Sequence, residues 1–337
     1  MSKLRSLLTS FSAVAAFCVG MGTSSVALAD SPDEPGDVSV DTFFFPVTLS
    51  DGNVHHIAGY LFYIGTPERP IIQVAVHGAT HYHLYWDIPD FNGDSYSYAR
   101  YMAHRGYTVL AIDQLGTGAS DQPDGDTVTL PETASALHQV LASLRTSQNP
   151  TGHDFSKIAL VGHSNGSLTS IFATGTYHDA DGLVTTAFEH SPHPLPFNPG
   201  DILALLTTPY LPANAFSEEF RTALFYHVPS TDQALLDFEF NSLAAIQARA
   251  QFIDLFQYGL HSELTRSTSV TVPVLVQNGD FDALQPSAFM PGEPSYYPAA
   301  SSVTLQPLTA MGHNINGHRN HLQSWQGIDL WIRQNIH

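Results

Sequence analysis

An α/β architecture is predicted, with a mostly parallel eight-stranded sheet, helices on both faces and one helical insertion. Three observations predict it. Short, almost continuously apolar runs alternate with helical segments, as they do where strands are buried on both faces of a parallel sheet. The alternation opens with an antiparallel hairpin. It is interrupted once, over residues 194–268, by a stretch too long for a simple crossover.

The hairpin consists of two β-rich runs, Phe43 to Leu49 and Val54 to Ile64, joined by the turn signal Ser50-Asp51-Gly52-Asn53. Further strands are expected at Ile71 to Val76, Thr108 to Ile112, Ile158 to Val161, Leu183 to Phe188, Val272 to Val276 and Val303 to Leu308. Helices fall between them at Ser95 to His104, Pro131 to Arg145 and Asn165 to Thr176. Trp325, Ile328, Trp331, Ile332 and Ile336 recur at three-to-four spacing, so an amphipathic helix closes the chain against the sheet. From Pro194 to Thr268 no convincing strand is found, but Leu203, Leu206, Phe216, Phe220, Phe225, Phe252 and Phe256 stud helical segments. This stretch reads as a helical cap over the carboxyl edge of the sheet; the alternative is a side domain that only packs. The core then comprises residues 42–193 and 269–337.

Composition narrows the function. The 337 residues carry 12 Lys+Arg against 31 Asp+Glu, for a formal net charge of -19, and 43% are hydrophobic. A chain this acidic, with no run of Lys or Arg, repels phosphate backbones and anionic membrane surfaces. At the start, Lys3 and Arg5 precede the apolar stretch Phe11 to Met21, and Ala27-Leu28-Ala29 places small residues where a signal peptidase cuts. Residues 1–29 are therefore expected to be a secretory signal peptide, and the product to be periplasmic or extracellular. An uncleaved anchor is the alternative, but the apolar stretch falls short of the roughly 20 residues a bilayer needs. Residues 30–41, with Pro32, Pro35 and several acids, read as a flexible acidic leader. The only cysteine, Cys18, lies in the signal, which leaves the mature chain without a disulfide, thiol nucleophile or thiolate metal site.

The sharpest motif is Gly162-His163-Ser164-Asn165-Gly166, between the strand that ends at Val161 and the helix that begins at Asn165. A serine on a tight strand-to-helix turn needs glycine on either side, because neighbouring Cβ atoms would clash. It also stands at a helix N-terminus, where free N–H groups favour developing negative charge.

With this motif the sequence resembles the α/β-hydrolase superfamily, over nearly all of Phe43 to His337. The resemblance implies an α/β-hydrolase fold and an enzyme with Ser164 as nucleophile. An acid should follow the seventh strand, where Gly279-Asp280-Phe281-Asp282 fits the family's G-x-x-D pattern and favours Asp282. Asp280 competes with it, and Glu189, after the sixth strand, is a distant third. A histidine should follow the last strand, where Gly312-His313 matches; His318, read as the start of the terminal helix, is the fallback. The order Ser164, Asp282, His313 is the superfamily's.

The same resemblance implies an oxyanion hole made by two backbone N–H groups. One is that of Asn165; the other is that of Ala79, since His77-Gly78-Ala79 fits the family's His-Gly-x pattern. The loop Asp113-Gln114-Leu115-Gly116-Thr117-Gly118-Ala119-Ser120 also fits a family pattern and is assigned a shaping role. Such a site needs no cofactor or metal, and the apolar cap implies a small-molecule ester with a hydrophobic part. His81-Tyr82-His83, His55-His56 and His190/His193 are too scattered for a metal site, and Asp121 to Asp126 lacks the full calcium-loop spacing. Carboxylic-ester hydrolysis is the leading expectation. Amide, C–C or peroxy-acid chemistry on the same triad competes with it, as does a non-catalytic binding protein on the same scaffold.

Overall fold

The computed structural model describes residues 37–67 and 69–337. The expected signal segment with Cys18, and all of the leader before Asp37, lie outside the described residues.

Eight strands form one sheet: β1 (Ser39–Thr48), β2 (Val54–Tyr63), β3 (Ile71–Val76), β4 (Thr108–Ile112), β5 (Lys157–His163), β6 (Gly182–Thr186), β7 (Val274–Gly279) and β8 (Val303–Leu308). Their order across the sheet is β1-β2-β4-β3-β5-β6-β7-β8. The β1–β2 and β2–β4 pairings are antiparallel, and from β4 to β8 every pairing is parallel. Each apolar run predicted as a strand is one.

Side chains alternate along these strands between two cores. Val74, Leu110 and Leu160 join one cluster, with Leu137 and Val140 of α2 (Leu130–Leu144) and Leu168 and Ile171 of α3 (Asn165–Tyr177). Their neighbours Ala75, Val109 and Val161 join the other. That cluster also holds Met102 of α1 (Tyr98–His104) and the stripe Trp325, Ile328, Trp331 and Ile332 of the C-terminal helix Leu322–Asn335. Burying each of these large side chains is worth about 1.5–3 kcal/mol, which makes both helical layers integral to the sheet.

The insertion after β6 carries α4 (Pro199–Leu203), α5 (Glu218–Phe225), α6 (Gln233–Phe238) and α7 (Arg249–Leu260); the C-terminal helix is α8. Between α6 and α7 a π-helical turn spans Glu239–Leu243. Ile202, Leu206, Leu211, Phe216 and Phe252 make a small core of the insertion's own.

Four expectations are corrected. The leader was expected to run to Asp41, yet Ser39, Val40 and Asp41 pair with Tyr63, Phe62 and Leu61 as part of β1. Their side chains are exposed, so backbone pairing and one hydrogen bond, from Tyr63 Oη to Asp41 Oδ2 (2.7 Å), order them, and no burial pattern betrays it. Ser95 and Tyr96 belong to a small hairpin, Ile88–Phe91 with Asp94–Tyr96, and the helix expected from Ser95 starts at Tyr98, capped by the Ser97 side chain. Over 194–268, where no strand was expected, Tyr210–Leu211 pairs with Gln247–Ala248. His318 does not start the terminal helix but follows a short turn, Ile315–Gly317, four residues before α8.

Candidate active site

The carboxyl ends of β5, β7 and β8 carry the three side chains singled out above, and the fold brings them together. Ser164 sits between β5 and α3 with φ 52° and ψ −119°, a conformation rare for a residue with a Cβ. The turn is so tight that a Cβ on Gly166 would lie 2.2 Å from the Val76 carbonyl oxygen. One on Gly162 would lie 2.5 Å from Ser167 Cα. The strain is held by hydrogen bonds from Ser164 N to Thr186 O (2.8 Å) and from Ser167 Oγ to the same oxygen (2.9 Å).

His313 Nε2 lies 2.9 Å from Ser164 Oγ. Its Nδ1 lies 3.0 Å and 2.9 Å from the two carboxylate oxygens of Asp282. Asp282 is buried and its Oδ1 also accepts from the Leu284 and Gln285 amides, so the carboxylate is fixed before it meets the imidazole. With the ring proton held on Nδ1, Nε2 presents a lone pair to the serine hydroxyl. Such a line can deprotonate the hydroxyl as it attacks an electrophilic carbon.

The competing residues are placed elsewhere. Asp280 is exposed, and among the described residues its side chain accepts only from the Met311 amide (3.2 Å). His318 is buried; its Nδ1 donates to Asn314 O, and its Nε2 accepts from the Gly312 and His227 amides. Burial holds its pKa down at about 4, so it is a neutral pin that fixes the backbone on both sides of His313. Sequence reasoning saw a second histidine near the motif; only its filled hydrogen bonds separate a brace from a base.

The expected oxyanion segment also lies against Ser164. A Cβ on Gly78 would stand 3.1 Å from Ser164 Cβ, and Ala79 lines the same cavity as Ser164 and His313. Asn165 opens α3, where its N–H has no intrahelical acceptor. His77 is fully buried, with Nδ1 donating to Gly78 O (2.8 Å) and Nε2 accepting from the Gln114 amide (3.0 Å); burial lowers its pKa to about 4. It is thus a neutral anchor of the loop. Burial pushes the Asp113 carboxyl up, but hydrogen bonds from His83 and the Ala119 amide outweigh it, and the group stays below the usual carboxylate range. These bonds tie Asp113 to the backbone on either side of it.

Several of the scattered histidines are engaged elsewhere. His83 is bound to Asp113, His190 to Glu293 and Thr265, and His56 to Asp121. Among the described residues no group of three or more His, Cys, Asp or Glu is placed to hold a metal ion. In the calcium-like stretch, Asp126 is taken by a two-pronged pair with Arg249.

Ser164 and His313 open onto a cavity of about 240 Å³ walled largely by Phe188, Phe197, Phe216, Phe220, Phe252 and Phe256, five of them from the insertion. Glu189 also lines it. Its carboxyl oxygens make no hydrogen bond, and the nearest basic atom is His193 Nδ1 at 3.5 Å. Burial first, then the neighbouring Glu293 and Asp282 carboxylates, push its pKa up to about 9. Glu189 therefore keeps its proton at neutral pH and cannot orient His313.

A stability prediction follows from the sign of that shift. In the unfolded chain Glu189 loses its proton near its ordinary value of 4.5, whereas the folded protein keeps it up to about 9. Its contribution is complete below 4.5 and declines as pH rises towards 9. Glu189→Gln removes this titration, so melting measured across pH 5 to 9 should show the variant gaining on wild type, by at least about 3 °C at the alkaline end. Parallel melting curves would contradict it.

Residues 93–315 match the family Hydrolase_4, described as serine aminopeptidase S33; the matched range includes Ser164, Asp282, His313 and the whole insertion. No curated protein matches the chain. Among solved structures, an esterase from Thermogutta terrifontis is 18% identical with a TM-score of 0.64, covering 87% of this chain and 98% of that one. A monoacylglycerol lipase from Paleococcus ferrophilus is 19% identical with a TM-score of 0.60, over 83% of this chain and 98% of that one. A bromoperoxidase from Bacillus anthracis is 15% identical with a TM-score of 0.61, over 87% and 100%. At such identities the likeness is one of fold.

Proposed function

The chain belongs to the serine aminopeptidase S33 family and is an α/β-hydrolase enzyme; from that premise we propose that it hydrolyses carboxylic esters through Ser164, His313 and Asp282. The observation that carries this reading is the unbroken hydrogen-bonded line from Asp282 through His313 to Ser164 at the wall of an apolar cavity. Ser164 Oγ attacks the acyl carbon while His313 Nε2 takes its proton, and Asp282 stabilises the imidazolium that forms. The Ala79 and Asn165 amides receive the developing oxyanion. His313 returns the proton to the leaving alcohol, then draws one from water, whose attack on the acyl-enzyme releases the acid.

The aromatic walls favour a substrate with a hydrophobic acyl or alcohol part. Among the described residues no helix is long and apolar enough to cross a membrane. The charge, apolar stretch and small residues of positions 1–29 support export of the mature chain.

A series of p-nitrophenyl esters on the purified protein tests the reading. The value of kcat/KM is expected to rise by up to about fourfold per added methylene until the cavity is full. Hydrolysis of amides, C–C bonds or perhydrolysis in place of ester turnover would redirect the substrate assignment while leaving the triad.

A further inference from the structure

The insertion does more than wall the cavity. Arg221 on α5 and Glu239 on the π-turn form a buried ion pair, each nearly inaccessible to solvent, with Arg221 Nε 2.9 Å from Glu239 Oε1 and Nη2 on the same oxygen. Two charges so deeply buried are costly unless every donor and acceptor is used. Here the spare capacity reaches out of the insertion in two directions.

One direction leads to the oxyanion segment. Arg221 Nη1 donates to Thr80 Oγ1 (2.9 Å). Thr80 directly follows Ala79 and has φ 59°, a conformation that a β-branched residue adopts only when its surroundings impose it. Two more insertion residues hold it there: Thr80 N donates to Gln247 Oε1 (3.0 Å), and Ala245 N donates to Thr80 O (2.8 Å). The next residue, His81, places Nε2 3.1 Å from Glu239 Oε1 and 3.2 Å from Arg221 Nη2.

The other direction leads to the histidine loop. Glu239 Oε2 accepts from Tyr226 Oη (2.7 Å) and from Asn314 Nδ2 (3.2 Å), the residue after His313. Asn314 N donates to Phe225 O (2.8 Å), and the Phe225 ring stacks on His313 with centroids 5.7 Å apart.

We infer that the Arg221–Glu239 pair, acting through Thr80 and Asn314, is a clamp that sets the Ala79 amide and the His313 ring at their working distances, so that the insertion supplies positioning residues for the reaction. The inference rests on the serine-hydrolase reading above. Interactions that fix donors ahead of the transition state raise kcat and leave ground-state binding alone. Arg221, Glu239 and Asn314 are not among the residues that line the cavity, whereas Thr80 and His81 border it, so the pair acts on the reaction through them.

Thr80→Val is the cleanest probe, because it keeps the branched shape at positive φ and removes only the acceptor for Arg221. With p-nitrophenyl butyrate as substrate, kcat is expected to fall about 10-fold or more with a much smaller change in KM, and the melting temperature to drop by about 2–4 °C because Arg221 Nη1 loses its buried acceptor. Loss of an entire oxyanion donor sets the ceiling, at about 10²–10³. Arg221→Met is expected to lose more. Arg221→Lys, which keeps the charge but not the fork that spans Glu239 and Thr80, should recover part of kcat. If Arg221→Met fails to fold, Thr80→Val and Arg221→Lys still read the clamp. Fluorophosphonate labelling of Ser164 runs alongside. Normal labelling of wild type with an unchanged kcat in Thr80→Val would overturn the clamp alone. A wild type that neither labels nor turns over ester would overturn the hydrolase reading, and the clamp's role with it.

Discussion

Replacing Ser164 by alanine is expected to lower kcat for p-nitrophenyl esters by about 10⁵–10⁶-fold, the loss seen when a catalytic serine is removed while binding and oxyanion groups stay in place. The size follows from the geometry. Among the described residues, Oγ is the only group hydrogen-bonded to Nε2 of His313, at 2.9 Å. The fold should be unaffected, since the Ser164 side chain caps no helix and alanine bears the same Cβ at φ 52°. KM should stay near wild type, and the alanine variant should take no fluorophosphonate. Equal labelling of wild type and variant, seen by intact mass, would place the nucleophile elsewhere.

Asp282→Asn is expected to cost about 10⁴-fold in kcat, against a factor of about two for Asp280→Asn. An asparagine can keep its oxygen on the Leu284 and Gln285 amides, but its NH₂ then faces His313 Nδ1. That donor forces the ring proton to Nε2, which can then only donate to Ser164 Oγ and cannot take its proton. Asp280 faces solvent and, among the described residues, its side chain holds only the Met311 amide, which an asparagine oxygen serves as well. Steady-state kinetics of the two variants decide it: a collapse in Asp280→Asn with Asp282→Asn active would reverse the assignment of the acid.

The sheet was legible because its strands are buried on both faces, and uninterrupted apolar runs such as Val109-Leu110-Ala111-Ile112 leave little room for another reading. The start of β1 was not, since Ser39 to Asp41 gain order from backbone pairing while their side chains remain in water. The three side chains at the candidate site were legible for a different reason. Each sits just past a strand, at a position where glycine spacing or chain order marks it. Arg221 and Glu239 carry no such mark. A single arginine and a single glutamate on short helices have the sequence appearance of surface charges, and Thr80 gives no hint of its positive φ. His318 was read as the start of the terminal helix because its spacing does not reveal the short turn Ile315–Gly317, and its role as a brace shows only once both ring nitrogens are accounted for.

The hydrogen bonds that run from Arg221, Glu239, Ala245 and Gln247 to Thr80 and Asn314 bear on how such enzymes can be recombined. A chimera that keeps this sheet and grafts the equivalent segment of another hydrolase would bring new pocket walls but strip the backbone beside Ala79 of its supports. It would inherit a substrate preference along with a slackened centre. Successful grafts should be those that carry a matching arginine and glutamate, or that replace Thr80 with a residue at ease in a left-handed turn.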